Sequence, residues 1–227
     1  MSTNIFITGT DTEVGKTYIT AGLLKAINQT GLKTIGLKPI ASDAKFDQES
    51  KALVNEDAFI IKNSASVSLP YSLVNPFCFE PPIAPHIAAH LVGVTLSIEK
   101  LEVAINLASS NSNYDLGLIE GAGGWHVPLN KTELVSDLVA KMKLPVILVV
   151  GIKLGCINHA LLTSEAIKNS GCKLIGWIAN CLEPNSLCKD ENIFAIKSKI
   201  DAPLLGRIPH KGAVNKHIDI NTVLQYI

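Results

Sequence analysis

Short runs of consecutive Ile, Val and Leu alternate along the chain with longer segments whose apolar residues recur at helical spacing. The runs Asn4–Thr8, Thr34–Lys38, Asp115–Glu120, Pro145–Gly151, Lys173–Asn180 and Pro203–Ile208 read as strands. Several are apolar on consecutive positions, the pattern of strands buried on both faces. Between them, Lys16–Thr30, Ser97–Ser110, Val135–Lys143, Asn158–Ser170 and Glu191–Ile200 fit amphipathic helices. This alternation predicts an α/β fold, a mostly parallel central sheet with helices on both faces. The stretch from Ser42 to Pro85 is the least regular, and its segment Glu80-Pro-Pro-Ile-Ala-Pro85 must be extended or turning. No repeat, low-complexity tract or linker interrupts the pattern, so residues 1–227 are expected to form a single domain.

Composition narrows the function classes. The 227 residues carry 20 Lys+Arg against 20 Asp+Glu, and 47% are hydrophobic. Such a chain is not disordered, and without net charge or a basic run it is a poor partner for nucleic acid or an anionic membrane. Of the 20 basic residues, 19 are lysine and one, Arg207, is arginine, which disfavours a multi-arginine phosphate clamp. The five cysteines (Cys78, Cys156, Cys172, Cys181, Cys188) are scattered and form no CxxC pair, and the histidines show no zinc-ligand spacing. The start, MSTNIFITGT, lacks the features of a secretory signal, and the longest apolar run, Pro145–Gly151, is too short to cross a bilayer. A cytoplasmic protein with reduced thiols is the expectation.

In open parallel sheets, ligands sit beyond the carboxyl ends of the strands. The exits here read Gly9-Thr-Asp-Thr-Glu-Val-Gly-Lys-Thr17, Lys38-Pro-Ile-Ala-Ser42, Glu120-Gly-Ala-Gly-Gly124, Gly151-Ile-Lys-Leu-Gly155 and Asn180-Cys181. The first is a phosphate-type loop between a strand and a helix, so the fold is expected to be P-loop NTPase-like. Its glycine, Gly9, stands one residue before the first position of the strict GxxxxGK[ST] pattern, which here is Thr10. Lys16 would place charge on the outer phosphates, and the Thr17 hydroxyl would hold Mg²⁺. GTP switches carry an NKxD-type reader, where this chain has Asn180-Cys-Leu-Glu183; partitioning ATPases carry an early loop lysine, where it has Asp11. Small-metabolite kinases bring lid arginines, and only Arg207 is available. These three classes weaken at the residues that would define them.

GTDTEVGKT, KPIAS, EGAGGWHVPL, VVGIKLGCINH and APLLGRIP, taken in order, resemble the dethiobiotin synthetase family from Asn4 to about Pro209. The resemblance implies an ATP- and Mg²⁺-dependent cyclo-ligase forming C–N bonds and working as a homodimer. Its substrates would be 7,8-diaminononanoate and CO₂ (or bicarbonate), joined through a carbamate and a carbamic–phosphoric anhydride into dethiobiotin, with release of ADP and phosphate. By the same resemblance Lys38 is the active-site lysine, assisted by Lys16 and Thr12. Ser42, Gly121, Ala122 and Asn158 would contact substrate. Nucleotide contacts fall to Glu13, Val14, Gly15, Lys16, Thr17, Tyr18, Asp57, Glu120, Gly121, Ala122 and Gly123, with Asn180, Cys181 and Pro209 on the base side. Thr17, Asp57 and Glu120 match the Mg²⁺ positions. Two departures stand out: Asp43 occupies a position where the family often has glycine, and Lys189–Ala195 lacks a tyrosine that some relatives use. A nucleotide-dependent switch acting on a protein partner is the competing class. A glutamine-dependent ligase is a third, disfavoured because no glutaminase-sized segment is present.

Overall fold

The computed structural model describes residues 2–185 and 187–226. In chain order, β1 (Thr3–Gly9) leads into α1 (Lys16–Asn28) and β2 (Thr34–Leu37). There follow β3 (Ile40–Ala41), the hairpin β4 (Lys45–Asp47) and β5 (Ala52–Val54), α2 (Glu56–Ser64), α3 (Tyr71–Val74), β6 (Phe77–Cys78), α4 (Pro85–Leu91) and α5 (Ile98–Ser110). The second half runs β7 (Leu116–Glu120), α6 (Val135–Lys141), β8 (Val146–Ile152), α7 (Cys156–Asn169), β9 (Leu174–Cys181), α8 (Lys189–Lys197), β10 (Leu204–Ile208) and α9 (Ile220–Leu224).

All six expected strands are present, and they pair in the order β10-β9-β8-β1-β7-β2, every pair parallel. β1 is apolar on consecutive positions because both of its faces are covered. Ile5 and Ile7 pack with Leu23, Leu24 and Ile27 of α1, whereas Phe6 packs on the other face with residues of α5 and α6. Helices thus cover both faces, as the pattern predicts.

The strand order positions the site. After β1 the chain builds outward to β2, fills β7 between them, then crosses to the far side of β1 for β8. The direction of travel reverses at β1, so the loops leaving β1 and β7 diverge and open a crevice at their carboxyl ends. Glycine-rich segments leave both strands there.

The irregular stretch holds more structure than its pattern suggests. Within 42–85 lie the β4–β5 hairpin, α2, α3 and β6, and Pro85 starts α4 at a position where proline loses no helical hydrogen bond. Each piece is too short, or too weakly amphipathic, to announce itself by period. At the other end, Val214 and Val223 are buried against α1, and the Asp219 amide donates to the Leu205 carbonyl at 2.6 Å. The segment beyond Lys211 therefore closes the sheet's edge.

Candidate active site

The loop from β1 turns into α1 through Gly15, whose φ of +87° is a left-handed value that a side chain would strain. From beneath, Asn180 Nδ2 at the end of β9 donates to the Val14 carbonyl at 2.9 Å. The loop borders a cavity of about 1610 Å³ whose walls include Thr12, Glu13, Gly15, Lys16, Thr17, Lys38, Ser42, Asp57, Ala122 and Gly123. Residues expected to work together from three separate motifs, with Asp57 from the irregular stretch, thus face one space. Lys16 Nζ folds back to the Asp11 carbonyl at 2.9 Å. Burial, and next the charge of Lys38, pull Lys16 from its ordinary 10.5 down to about 8.

Lys38 is held by its own backbone first. Its N–H donates to the Val74 carbonyl at 2.9 Å, and its carbonyl accepts from Asn75 Nδ2 at 2.6 Å. Pro39 cannot continue the β2 ladder, and the chain steps out to pair β3 with β6. The side chain then points at acids: Nζ stands 2.6 Å from Glu120 Oε1 and 3.2 Å from Asp57 Oδ2. Burial alone would lower Lys38, but the two carboxylates outweigh it and hold the ammonium above its usual range. Thr17 Oγ1 donates to the same Glu120 oxygen at 2.8 Å. The three side chains matched to a metal are therefore gathered around one point.

Ser42 and Asp57 are linked by a residue that pattern reading passed over. Asn55 caps α2 by accepting from the Ala58 amide at 3.1 Å, while its Nδ2 donates to the Ser42 carbonyl at 2.9 Å. Asp43 takes φ +61° in the turn. Aspartate is among the few side chains that tolerate this region, so the turn keeps a form that glycine would adopt freely.

Other expected residues stand differently toward the cavity. Gly121 is buried and its N–H is spent on the Ile7 carbonyl at 3.0 Å, so it has no amide to offer an anion; the cavity wall begins at Ala122. Val14 contributes only backbone, because its side chain is fully buried in the core. Asn180 uses one of its amide hydrogens on that backbone, leaving less for a base than a free reader would have. Tyr18 points outward and donates its hydroxyl to the Gly212 carbonyl, joining α1 to the segment after β10. Tyr18, Asn180, Cys181 and Pro209 lie off the cavity wall, and Cys181 is buried. Asn158 is exposed on the first turn of α7 and also lies off this wall. His126 borders the cavity, with Nδ1 3.0 Å from Ser136 Oγ.

Sequence reasoning missed Asn55, Tyr71, Asn75 and Thr20. Tyr71 Oη accepts from the Asn55 amide at 2.8 Å and donates to Asn75 Oδ1 at 3.0 Å, so one chain of hydrogen bonds runs from α2 to the Lys38 backbone. Burial raises the Tyr71 phenol, which keeps it a neutral donor. Only two of the four had a signal. Asn55 precedes two acids as a helix cap should, and Thr20 follows Thr17 at the i, i+3 spacing of one helix face.

A family model described as an AAA domain matches residues 3–217. An ATP-dependent dethiobiotin synthetase from Pseudomonas aeruginosa is 46% identical over 220 residues, covering 95% of each chain. Those from Cellvibrio japonicus and Photobacterium profundum are 44% and 41% identical, covering 96% and 99% of this chain and 96% and 100% of their own. Among solved structures, the septum site-determining protein MinD of Pyrococcus horikoshii, complexed with Mg-ADP, superposes with a TM-score of 0.59 at 18% identity, covering 98% of this chain and 89% of that one. Chloroplast FtsY of Physcomitrella patens superposes with a TM-score of 0.56 at 13% identity, covering all of this chain and 65% of that one. These structural likenesses establish the fold, which is P-loop NTPase-like, and the sequence relatives, matched end to end, establish that the chain belongs to the ATP-dependent dethiobiotin synthetase family.

Proposed function

We propose that this chain closes the ureido ring of dethiobiotin from 7,8-diaminononanoate, CO₂ and ATP, acting as one domain over residues 1–227. The observation that carries this reading is the convergence of Lys38, Glu120, Asp57 and Thr17 beside the phosphate loop: Lys38, Asp57 and Thr17 line the cavity at the sheet's switch point, and the buried Glu120 bonds Lys38 and Thr17. An amine must be neutral to attack CO₂. Lys16 and Lys38 disfavour an ammonium beside them and favour the carbamate anion that results. The carbamate oxygen accepts the γ-phosphoryl group of ATP, with release of ADP, giving a carbamic–phosphoric anhydride. The second amine then attacks the carbamoyl carbon, closes the ring and expels phosphate. Positioning and charge stabilisation suffice for this transfer, which lysines supply without an arginine finger.

Thr17, Asp57 and Glu120 offer oxygen donors only, the chemistry Mg²⁺ prefers, and two carboxylates whose charge is already drawing a cation fit a divalent ion well. Such an ion would neutralise charge on the nucleotide's outer phosphates. Thr12 and Ser42 on the cavity wall suit contacts to the diamine. The base would lie toward Asn180 and Pro209. The substrate carboxylate would reach Asn158 of a second copy, since Asn158 stands exposed off the wall, with Leu162 exposed one turn along the same helix face. Five free cysteines fit a cytoplasmic setting.

The test is mass-spectrometric detection of dethiobiotin made from the diamine, bicarbonate and ATP. ADP release should require both small substrates, and turnover indifferent to the diamine would sink the reading. Lys38→Ala should abolish ring closure while nucleotide still binds; an active variant would remove Lys38 from the mechanism.

A further inference from the structure

Glu120 ends β7 with its side chain fully buried, and its two oxygens are served differently. Oε1 accepts from Thr17 Oγ1 at 2.8 Å and from Lys38 Nζ at 2.6 Å, on the side of the cavity. Oε2 faces into the protein, 2.8 Å from Thr20 Oγ1. Thr20 is wholly buried on α1, and its Oγ1 also lies 2.8 Å from the Lys16 carbonyl. A hydroxyl has one hydrogen to give. The Lys16 carbonyl already receives the Thr20 amide as its regular helical donor. Among the described residues, Oε2 has no donor but Thr20 within hydrogen-bond distance. A buried carboxylate oxygen without a donor is far costlier than a helix carbonyl with one, so the hydrogen goes to Glu120.

We propose that Thr20 is a positioning residue for the reaction: its hydroxyl pins Oε2 of Glu120, so that Oε1 alone is presented to the cation site beside Thr17 and Lys38. The proposal rests on the reading of Glu120 as a Mg²⁺ ligand. It gives α1 two tasks one turn apart, with Thr17 facing the cation and Thr20 holding the carboxylate that shares it. Donors that orient a metal-binding carboxylate typically change metal affinity by about 10–100-fold when removed. Thr20 contacts neither substrate nor cavity, so its influence must pass through Glu120.

The experiment compares wild type with Thr20→Val, Thr20→Ala, Thr20→Ser and Glu120→Gln. Mn²⁺ binding in the presence of a non-hydrolysable ATP analogue is followed by electron paramagnetic resonance, with thermal unfolding as a check on folding. Thr20→Val keeps the volume and loses the hydroxyl; Thr20→Ser and Thr20→Ala differ from each other only in the hydroxyl. Both hydroxyl-free variants should bind Mn²⁺ about tenfold more weakly, with an altered spectrum, while Thr20→Ser stays within about twofold of wild type. Wild-type affinity in Thr20→Val or Thr20→Ala overturns the proposal. So does a Thr20→Ser as weak as Thr20→Ala, because packing rather than the hydroxyl would then be the cause. Should Glu120→Gln bind Mn²⁺ normally, the ligand role of Glu120 fails first and takes the proposal with it. A loss in Glu120→Gln without one in the hydroxyl-free variants removes Thr20 alone.

Discussion

The Lys38 ammonium lies 2.6 Å from the Glu120 carboxylate, and both side chains are buried. Removing one member of a buried pair strands the other, at a cost of about 3–5 kcal/mol. Lys38→Met, similar in length, should therefore destabilise the metal-free protein by that order. Asp57, about half exposed, does not incur the same penalty because water reaches it. If a divalent cation binds these acids, Mg²⁺ should raise the unfolding midpoint of Lys38→Met by more than it raises that of wild type. Equal responses in a thermal scan would mean that the cation goes elsewhere.

Lys16 sets a pH dependence. Burial first, then the charge of Lys38, lowers it to about 8, so near pH 9 most free protein carries a neutral Lys16. A bound polyphosphate restores the ammonium. Nucleotide binding should therefore take up a proton near pH 9, take up little at pH 7, and weaken as pH rises through 8. Calorimetry in two buffers of different ionisation enthalpy measures the uptake, and Lys16→Met should abolish it. Because the folded value lies below the unfolded one, the unfolded chain holds more protons between pH 8 and 10.5. This lysine's contribution to the stability of the free protein accordingly rises with pH across that window.

The sheet was legible because burial on both faces writes itself as unbroken apolar runs, and the crevice follows from strand order once β1 is central. Lys16, Lys38 and Glu120 were legible because each sits at a strand exit. Asp57 was harder: α2 is short and barely amphipathic, and Asn55 earns its position by bonding Ser42, a contact between loops that no local pattern encodes. Gly121 misled for a related reason. A glycine after a strand looks like a free amide, and only the register of β7 against β1 shows that the Ile7 carbonyl already claims it. Thr20 showed only that it shares a helix face with Thr17, because its partner, Glu120, is distant in sequence and adjacent only after folding.

Asp43 tests the turn that carries Ser42. At φ +61° an aspartate is tolerable but a β-branched residue is not. Asp43→Gly should retain activity and lie within about 1 kcal/mol of wild-type stability, since relief of strain is offset by a freer unfolded chain. Asp43→Val should cost about 1–2 kcal/mol and raise KM for the diamine more than for ATP, because Ser42 moves while the phosphate loop does not. Steady-state kinetics in both substrates would check this, and an equal rise in both KM values would count against it.

Gly15 and Asn180 make the sharpest pair to separate. A Cβ on Gly15 would lie 2.2 Å from Asn180 Nδ2, and the φ of +87° would strain it even in open space. Asn180 cannot simply swing aside, because it is buried and bonded to the Val14 carbonyl. Gly15→Ala should thus carry two costs, about 1–2 kcal/mol from the backbone and a larger one from the collision. Asn180→Ala alone should lose about 1 kcal/mol with its hydrogen bond. In the double variant the collision disappears and the backbone cost stays, so its loss should be smaller than the sum of the single losses. Denaturant unfolding without nucleotide reads this cycle free of any role that Asn180 has toward the base. Strict additivity would show that the two residues do not press on each other. An ATP affinity lower in the double variant than in Asn180→Ala would show that the loop needs its left-handed turn to cradle phosphate, beyond needing room to form it.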